Sequence, residues 1–202
     1  MMPIQSANKY FGTTCYKTLR KVVGTMKFDP EIYRIDETGH SVGIFTKQLP
    51  KAVDWKMIRQ LVEAAECGGN QSIRLCLHDS SDALFHTMII VDKGGTYHRP
   101  HKHKDKGECF HIIEGRMAIM TFDDEGGITD VCQLDPLETI MYRVAVNMYH
   151  AVIPLTPTVI YHEAKPGPYL HEDDSVFPPW APDMTDEVET ARYHEYLLRV
   201  LE

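Results

Sequence analysis

The spacing of apolar residues changes twice along this chain. Residues 1–50 hold no sustained pattern, apart from an apolar run at 42–45 that reads as a short strand ended by Pro50. Over 53–67, Trp55, Ile58, Leu61, Val62 and Ala65 recur at helical spacing behind Asp54, whose carboxylate can cap the first turn. That predicts an amphipathic helix, stopped by Gly68, Gly69 and Asn70. From residue 72 the period falls to two. Ile73, Leu75 and Leu77 share one face of a strand, and Arg74, Cys76 and His78 share the other. Further strands are predicted at 85–91, 96–103, 108–113, 116–122, 128–134, 139–144, 151–153 and 158–164, with the hairpin loop Asp-Asp-Glu-Gly-Gly at 123–127. Many short strands with regular turns point to a mainly β sandwich or barrel. Proline-rich text returns at 165–169 and 177–182. Beyond it, Tyr193, Tyr196, Leu197, Val200 and Leu201 fall on one face of a terminal helix. The expected organisation is an N-terminal extension (1–71) with a helix at about 54–67, a β barrel (72–182) and a helical tail (183–202).

Composition narrows the function classes. The 202 residues, 43% hydrophobic and 25% charged, suit one ordinary globular core. A net charge of −8 argues against a general partner for nucleic acid or anionic membrane. The local basic cluster is Arg99, Lys102, Lys104 and Lys106. Five scattered cysteines (Cys15, Cys67, Cys76, Cys109, Cys132) make no Cys-x-x-Cys pair, which fits reduced thiols in a reducing compartment. The N-terminus lacks a basic stretch followed by an apolar one, and no run approaches the roughly 18 apolar residues of a membrane span. A cytoplasmic protein with neither membrane nor nucleic-acid partner is expected.

The chemistry concentrates in 95–115, where four of the eleven histidines fall: His98, His101, His103 and His111. His101 and His103, two apart on a predicted strand, point to the same side. Glu108 follows a short turn and can return its carboxylate beside them. Two imidazoles and a carboxylate suit a divalent first-row metal. His150, on a later strand, is the candidate fourth ligand. His98 and His111 fall on the other strand face, and so does Cys109.

The spacing Gly95-x5-His101-x-His103-x4-Glu108-x6-Gly115 matches the first signature motif of the cupin superfamily, G-x5-H-x-H-x3,4-E-x6-G. The second, G-x5-P-x-G-x2-H, survives only in part: Thr139, Ala145 and Asn147 replace its two glycines and proline, while His150 keeps the histidine. Asparagine tolerates the left-handed turn that the second glycine makes. The runs L-C-L-H-D-S-S-D, Y-H-R-P-H-K-H, M-T-F-D-D-E-G-G-I, Y-H-A-V, K-P-G-P-Y and F-P-P-W-A-P resemble the WbuC family of cupin-fold metalloproteins over roughly residues 54–182. That family tends to carry asparagine where this chain has Cys76 and Ile90.

The resemblance implies a single jelly-roll (cupin) barrel between an N-terminal and a C-terminal helix. It implies one divalent ion (iron, zinc, manganese or nickel) on His101, His103, Glu108 and His150. It further implies a homodimer and a small polar substrate, a sugar or sugar nucleotide of bacterial surface-polysaccharide synthesis, handled by isomerase or epimerase chemistry. An Fe(II) dioxygenase and a non-enzymatic small-ligand sensor are the alternatives. Around the site, Arg74 and His78 either face inward and bind an anionic substrate group, or lie on a solvated strand face. Tyr142 and Tyr149 are either pocket acids or packing. Of His162 and Glu163 only one can point inward, and an inward His162 would suit a general base.

Overall fold

The computed structural model describes residues 28–36, 41–48, 52–67, 72–170 and 174–202. The predicted stops at Pro50 and Gly68–Asn70, and Cys15, lie outside them. Seven strands, β1 (Tyr33–Asp36), β2 (Val42–Thr46), β3 (Ile73–Cys76), β4 (Phe85–Lys93), β5 (Glu108–Glu114), β8 (Met141–Val144) and β10 (Thr158–Pro166), build one sheet. Its order is β1-β2-β3-β4-β10-β5-β8. A second sheet, β7-β6-β9, contains β6 (Met117–Phe122), β7 (Ile128–Leu134) and β9 (Tyr149–Pro154). The neighbours pair antiparallel except β2 and β3, which run parallel.

Period-two alternation sorts the side chains into layers. Phe110 and Ile112 of β5, Val144 of β8 and Tyr161 of β10 meet Met117, Ile119, Leu134 and Val152 from the smaller sheet, so one core lies between the sheets. The outer face of the larger sheet, with Ile73, Leu75, Ile89, Val91 and Ile160, is covered by α1 (Trp55–Cys67). The cap is as expected: the Asp54 carboxylate accepts the Met57 amide at 2.8 Å. Ile58, Leu61, Ala64 and Ala65 form the buried stripe of α1. Leu61 is fully buried. Leu61→Ala is therefore expected to cost about 2–5 kcal/mol, read as a lower midpoint at unchanged slope in denaturant titration.

The outer face of the smaller sheet holds Ala118, Met120, Phe122, Tyr149, Ala151 and Ile153, under α2 (Glu187–Arg199). Leu197 is its buried anchor, with Tyr193 and Leu201 beside it; Tyr196 and Val200, predicted on the same face, are largely exposed. Trp180 packs against Phe122 and Tyr149 and donates to the Asp124 carbonyl, covering apolar sheet surface as expected. The result is a mainly β fold of two packed sheets with a helix on each outer face, as the cupin resemblance implies. Among the described residues, no helix is long and apolar enough to cross a membrane.

Two expectations need correction. The larger sheet runs across the boundary drawn at residue 72: β2, expected in the extension, and β1, which the sequence pattern did not predict, continue it through the pairing of β2 with β3. The strand predicted at 96–103 reduces to isolated bridges at His101 and Lys102. Pro100 has no amide to give a ladder. Just before it, the Tyr97 hydroxyl and the Arg99 guanidinium bond to the carbonyls of Pro182, Ala181 and Pro178 instead of joining a sheet.

Candidate metal centre

His101, His103, Glu108 and His150 come together between the two sheets. Each offers one ligand atom, and these atoms all lie within 4.8 Å of one another. Backbone pairing fixes the arrangement. The amides and carbonyls of His101 and His150 exchange two hydrogen bonds at 3.0 and 2.9 Å. The Asn147 amide donates to the His103 carbonyl at 2.8 Å. Asn147 has φ 57°, the left-handed turn that the degraded second motif still needs. Gly115, which closes the first motif, has φ 81°, and a Cβ there would stand 2.4 Å from the Thr158 carbonyl oxygen.

The imidazoles share one hydrogen-bonding scheme. Nδ1 of His101 faces the Arg99 carbonyl at 3.1 Å, Nδ1 of His150 the Met148 carbonyl at 3.1 Å, and Nδ1 of His103 the Asp174 carbonyl. A carbonyl only accepts, so each Nδ1 carries the proton, and in the neutral imidazole, the form that binds a metal, each Nε2 keeps a lone pair. His103 Nε2 is a buried nitrogen without a hydrogen bond; its 2.9 Å approach to Glu108 Oε1 has an ion-pair distance but not hydrogen-bond alignment. His150 Nε2 lies 2.8 Å from Glu108 Oε2. Lone pairs converging on a buried carboxylate repel one another unless a cation lies among them. The donor set therefore fits a divalent metal, with each histidine oriented by an outer acceptor.

Charge follows the same logic. Burial, then the neighbouring His150, push the His101 imidazole down to about 3, so it stays neutral. Burial works to raise the Glu108 carboxyl, but the Lys165 ammonium holds it well below the usual carboxylate range. Lys165 Nζ sits 2.7 Å from Glu108 Oε1 and 3.3 Å from Glu163 Oε1. Behind His103, the buried Asp174 carboxylate accepts from the buried Lys106 ammonium and from the Leu170 amide at 3.2 Å. Phe177 lies beside His101 with ring centres 5.9 Å apart. Through Asp174, Val176 and Phe177 the segment 174–177 straps the His101–His103 stretch from the side opposite β9.

The remaining predicted residues fall elsewhere. On β10, Tyr161, Glu163 and Lys165 alternate toward the inter-sheet space, so the inward position belongs to Glu163. His162 points to the other face, where Thr87 Oγ1 holds its Nε2 at 2.6 Å. The Tyr142 hydroxyl donates to Asp130 at 2.6 Å, and Tyr149 packs with Trp180 under a 4.2 Å contact from the Lys102 ammonium. None of the three reaches the ligand group; strand phase decides this for His162 and Tyr149.

Arg74 stands on the inward face of β3 beside Cys76, donating to Ser41 Oγ at 2.8 Å. His78 is buried, stacked on His86 with ring centres 4.2 Å apart, and accepts from the Thr87 amide at 3.2 Å. Burial, then His86, lower it to about 4. Its ring packs face to face on His86, with Nδ1 engaged by Thr87. Sequence reading left open whether His162 or Glu163 points inward, and missed Lys165, Lys106 and Asp174 as partners of the site. Only the two β10 residues left a signal, because period two from Tyr161 selects both.

His98, also off the ligand face, pairs with the fully buried Asp92 at 2.5 Å, and Ser72 holds the other carboxylate oxygen. Burial opposes the His98 imidazolium, but Asp92 raises it above its ordinary 6.5. A raised histidine contributes stability that is complete below the ordinary value and lost as pH rises through the folded one. The melting-temperature gap between wild type and His98→Ala should thus shrink as pH rises above the ordinary 6.5. A pH-independent gap would leave the ion pair no part in stability.

Residues 53–134 match the model of a family described as a domain of unknown function, DUF6016. A search of curated protein sequences finds no match to this chain. Solved structures similar to it include the capsular polysaccharide assembling protein CapF from Staphylococcus aureus, 13% identical, covering 54% of this chain and 31% of that one, TM-score 0.42. They also include oxalate decarboxylase from Bacillus subtilis, 15% identical over 46% of this chain and 24% of that one, TM-score 0.38. Cellulomonas parahominis L-ribose isomerase is 12% identical over 46% of this chain and 57% of that one, TM-score 0.40. The chain spans about a third or less of the first two. Fold and site together define a mainly β protein of two packed sheets with a three-histidine, one-glutamate group able to hold a divalent metal.

Proposed function

We propose that this chain is a metal-dependent cupin enzyme acting on a small polar metabolite. The observation that carries the reading is the shared tautomer: three imidazoles each donate Nδ1–H to a backbone carbonyl and leave Nε2 facing Glu108. His101, His103, Glu108 and His150 would hold the ion. Such an ion supplies Lewis acidity toward a bound oxygen or activates a bound water.

The chain's own residues supply the rest. The strap through Asp174 and Phe177 keeps His103 oriented and sets an aromatic ring beside His101. Glu163 faces the same space, and burial, against the opposing pull of Lys165, raises its carboxyl, which suits it to taking up and returning a proton. Arg74 offers a guanidinium on the same sheet face. Cys76 and Ile90, together with Phe45 and Met88, make that wall apolar where the WbuC family tends to have asparagine.

A sugar or sugar nucleotide as substrate, with isomerase or epimerase chemistry, is supported by the WbuC resemblance in sequence. A cytoplasmic homodimer without nucleic-acid or membrane partners belongs to the same reading.

The test is elemental mass spectrometry on protein purified without a metal column, alongside anaerobic Fe(II) reconstitution. About one zinc, manganese or nickel per chain without oxygen uptake is the expected result. Iron with substrate-dependent oxygen consumption would replace isomerase chemistry by dioxygenase chemistry. No metal under either condition would overturn the reading.

A further inference from the structure

Among the described residues, Lys165 is the lysine whose ammonium touches the ligand group. Its Nζ lies 2.7 Å from Glu108 Oε1, the same oxygen that His103 Nε2 approaches at 2.9 Å. Its side chain is 14% exposed and that of Glu108 3%, so water screens the contact little. Glu163 stands 3.3 Å away on the other side of the ammonium. The neighbouring Lys106–Asp174 pair is neutral by itself. With both carboxylates ionised, Glu108, Glu163 and Lys165 together carry one negative charge; a divalent cation turns that sum positive, and the Arg74 guanidinium on the same face adds to it. Uncompensated charge in a buried space is costly, so the loaded site favours a ligand that brings negative charge. A cation seated between the imidazoles and Glu108 also repels an ammonium bound to the same carboxylate. Lys165 already has a second anchor in Glu163 within reach.

We propose that Lys165 competes with the metal for Glu108 and, in the loaded protein, pairs with an anionic oxygen of the incoming molecule, so that the site takes a small carboxylate or phosphate-bearing substrate. This rests on the metal-binding reading above and narrows it to anionic metabolites.

The experiment uses Co(II), whose visible absorption reports both its uptake and any ligand joining it. Wild type, Lys165→Met and Lys165→Arg are titrated with Co(II), and the loaded proteins are then titrated with acetate and with inorganic phosphate. Lys165→Met should bind Co(II) at least about tenfold tighter, because a competitor for Glu108 is gone, and should lose at least about tenfold in anion affinity. Lys165→Arg should restore the anion affinity, and the better of the two anions identifies the group the site accepts. Metal-free wild type should bind either anion at least about tenfold more weakly than the loaded form, a comparison that needs no variant to fold.

Equal anion affinity in loaded wild type and Lys165→Met would overturn the proposal, as would equal affinity with and without Co(II). Wild type that takes up no Co(II) would overturn the metal reading and this inference together. Wild type that takes it up, but binds anions without regard to Lys165, would overturn this inference alone.

Discussion

Glu108→Ala and His103→Ala are each expected to abolish stoichiometric metal uptake, lowering affinity by more than about 100-fold, the upper end of what loss of an outer partner alone produces. Glu108 is the one anionic ligand of the group, and His103 holds the buried, unbonded Nε2. The two variants should differ in stability. Removing Glu108 leaves the Lys165 ammonium with Glu163 alone, whereas removing His103 leaves the Glu108–Lys165 contact in place. Glu108→Ala, which leaves a neutral Lys165–Glu163 pair, should therefore melt higher than His103→Ala, which keeps the excess buried carboxylate, although both lose metal. His98→Ala and His111→Ala should keep full metal content, because His98 is bound to Asp92 and His111 pairs in register with His162 on the opposite face of the sheet. Elemental mass spectrometry and calorimetric titration give the answer. Loss of metal in His98→Ala would show that the ligand group is drawn on the wrong face.

The second large effect is expected at Lys106→Met. Lys106 and Asp174 are both nearly inaccessible, and the Asp174 carboxylate has no other cation within salt-bridge distance among the described residues apart from His103 Nδ1 at 3.6 Å. Breaking such a pair leaves a buried charge uncompensated, at about 3–5 kcal/mol. For a chain of this size that is a fall on the order of 10 °C in melting temperature.

The pair also fixes the backbone carbonyl that orients His103, so metal affinity should fall by about 10–100-fold in the same variant. A purely structural role would lower stability and leave the affinity of the folded protein unchanged. Burial works to raise the Asp174 carboxyl, but the hydrogen bond from Lys106 holds it below the ordinary 3.8. A lowered carboxylate contributes stability above the ordinary value that is lost as pH falls through the folded one. The wild-type advantage over Lys106→Met should accordingly shrink under acid conditions below about pH 4.

Local pattern carried much of the fold. The stripe from Ile58 to Ala65 required a helix, and alternation required most of the strands, because a helix or strand must turn one face to a core whatever the topology. The spacing from Gly95 to Gly115 and the pairing of His101 and His103 on one side marked the ligand group, since turns and strand phase are properties of a few neighbouring residues. Pro100 was the local warning that 96–103 would not be a full strand.

Tertiary structure decided what depends on distant segments. The basic residues near the histidines read in sequence only as a local cluster, yet Lys106 is buried against Asp174, Lys102 lies over Tyr149 beside Asp124, and Arg99 binds carbonyls near Ala181. Their partners are 22 to 82 residues away, beyond the reach of any periodicity. Alternation showed that His162 and Glu163 face opposite ways but not which of them faces inward. Pairing of β10 between β4 and β5, with Lys165 reaching Glu108, made that choice. The sequence by itself determined the elements and the residues able to bind a metal, because both follow from short-range geometry. Only the packing of two sheets decided which charges are buried, which histidines face inward and what holds them there, because burial and charge pairing are set by the whole molecule.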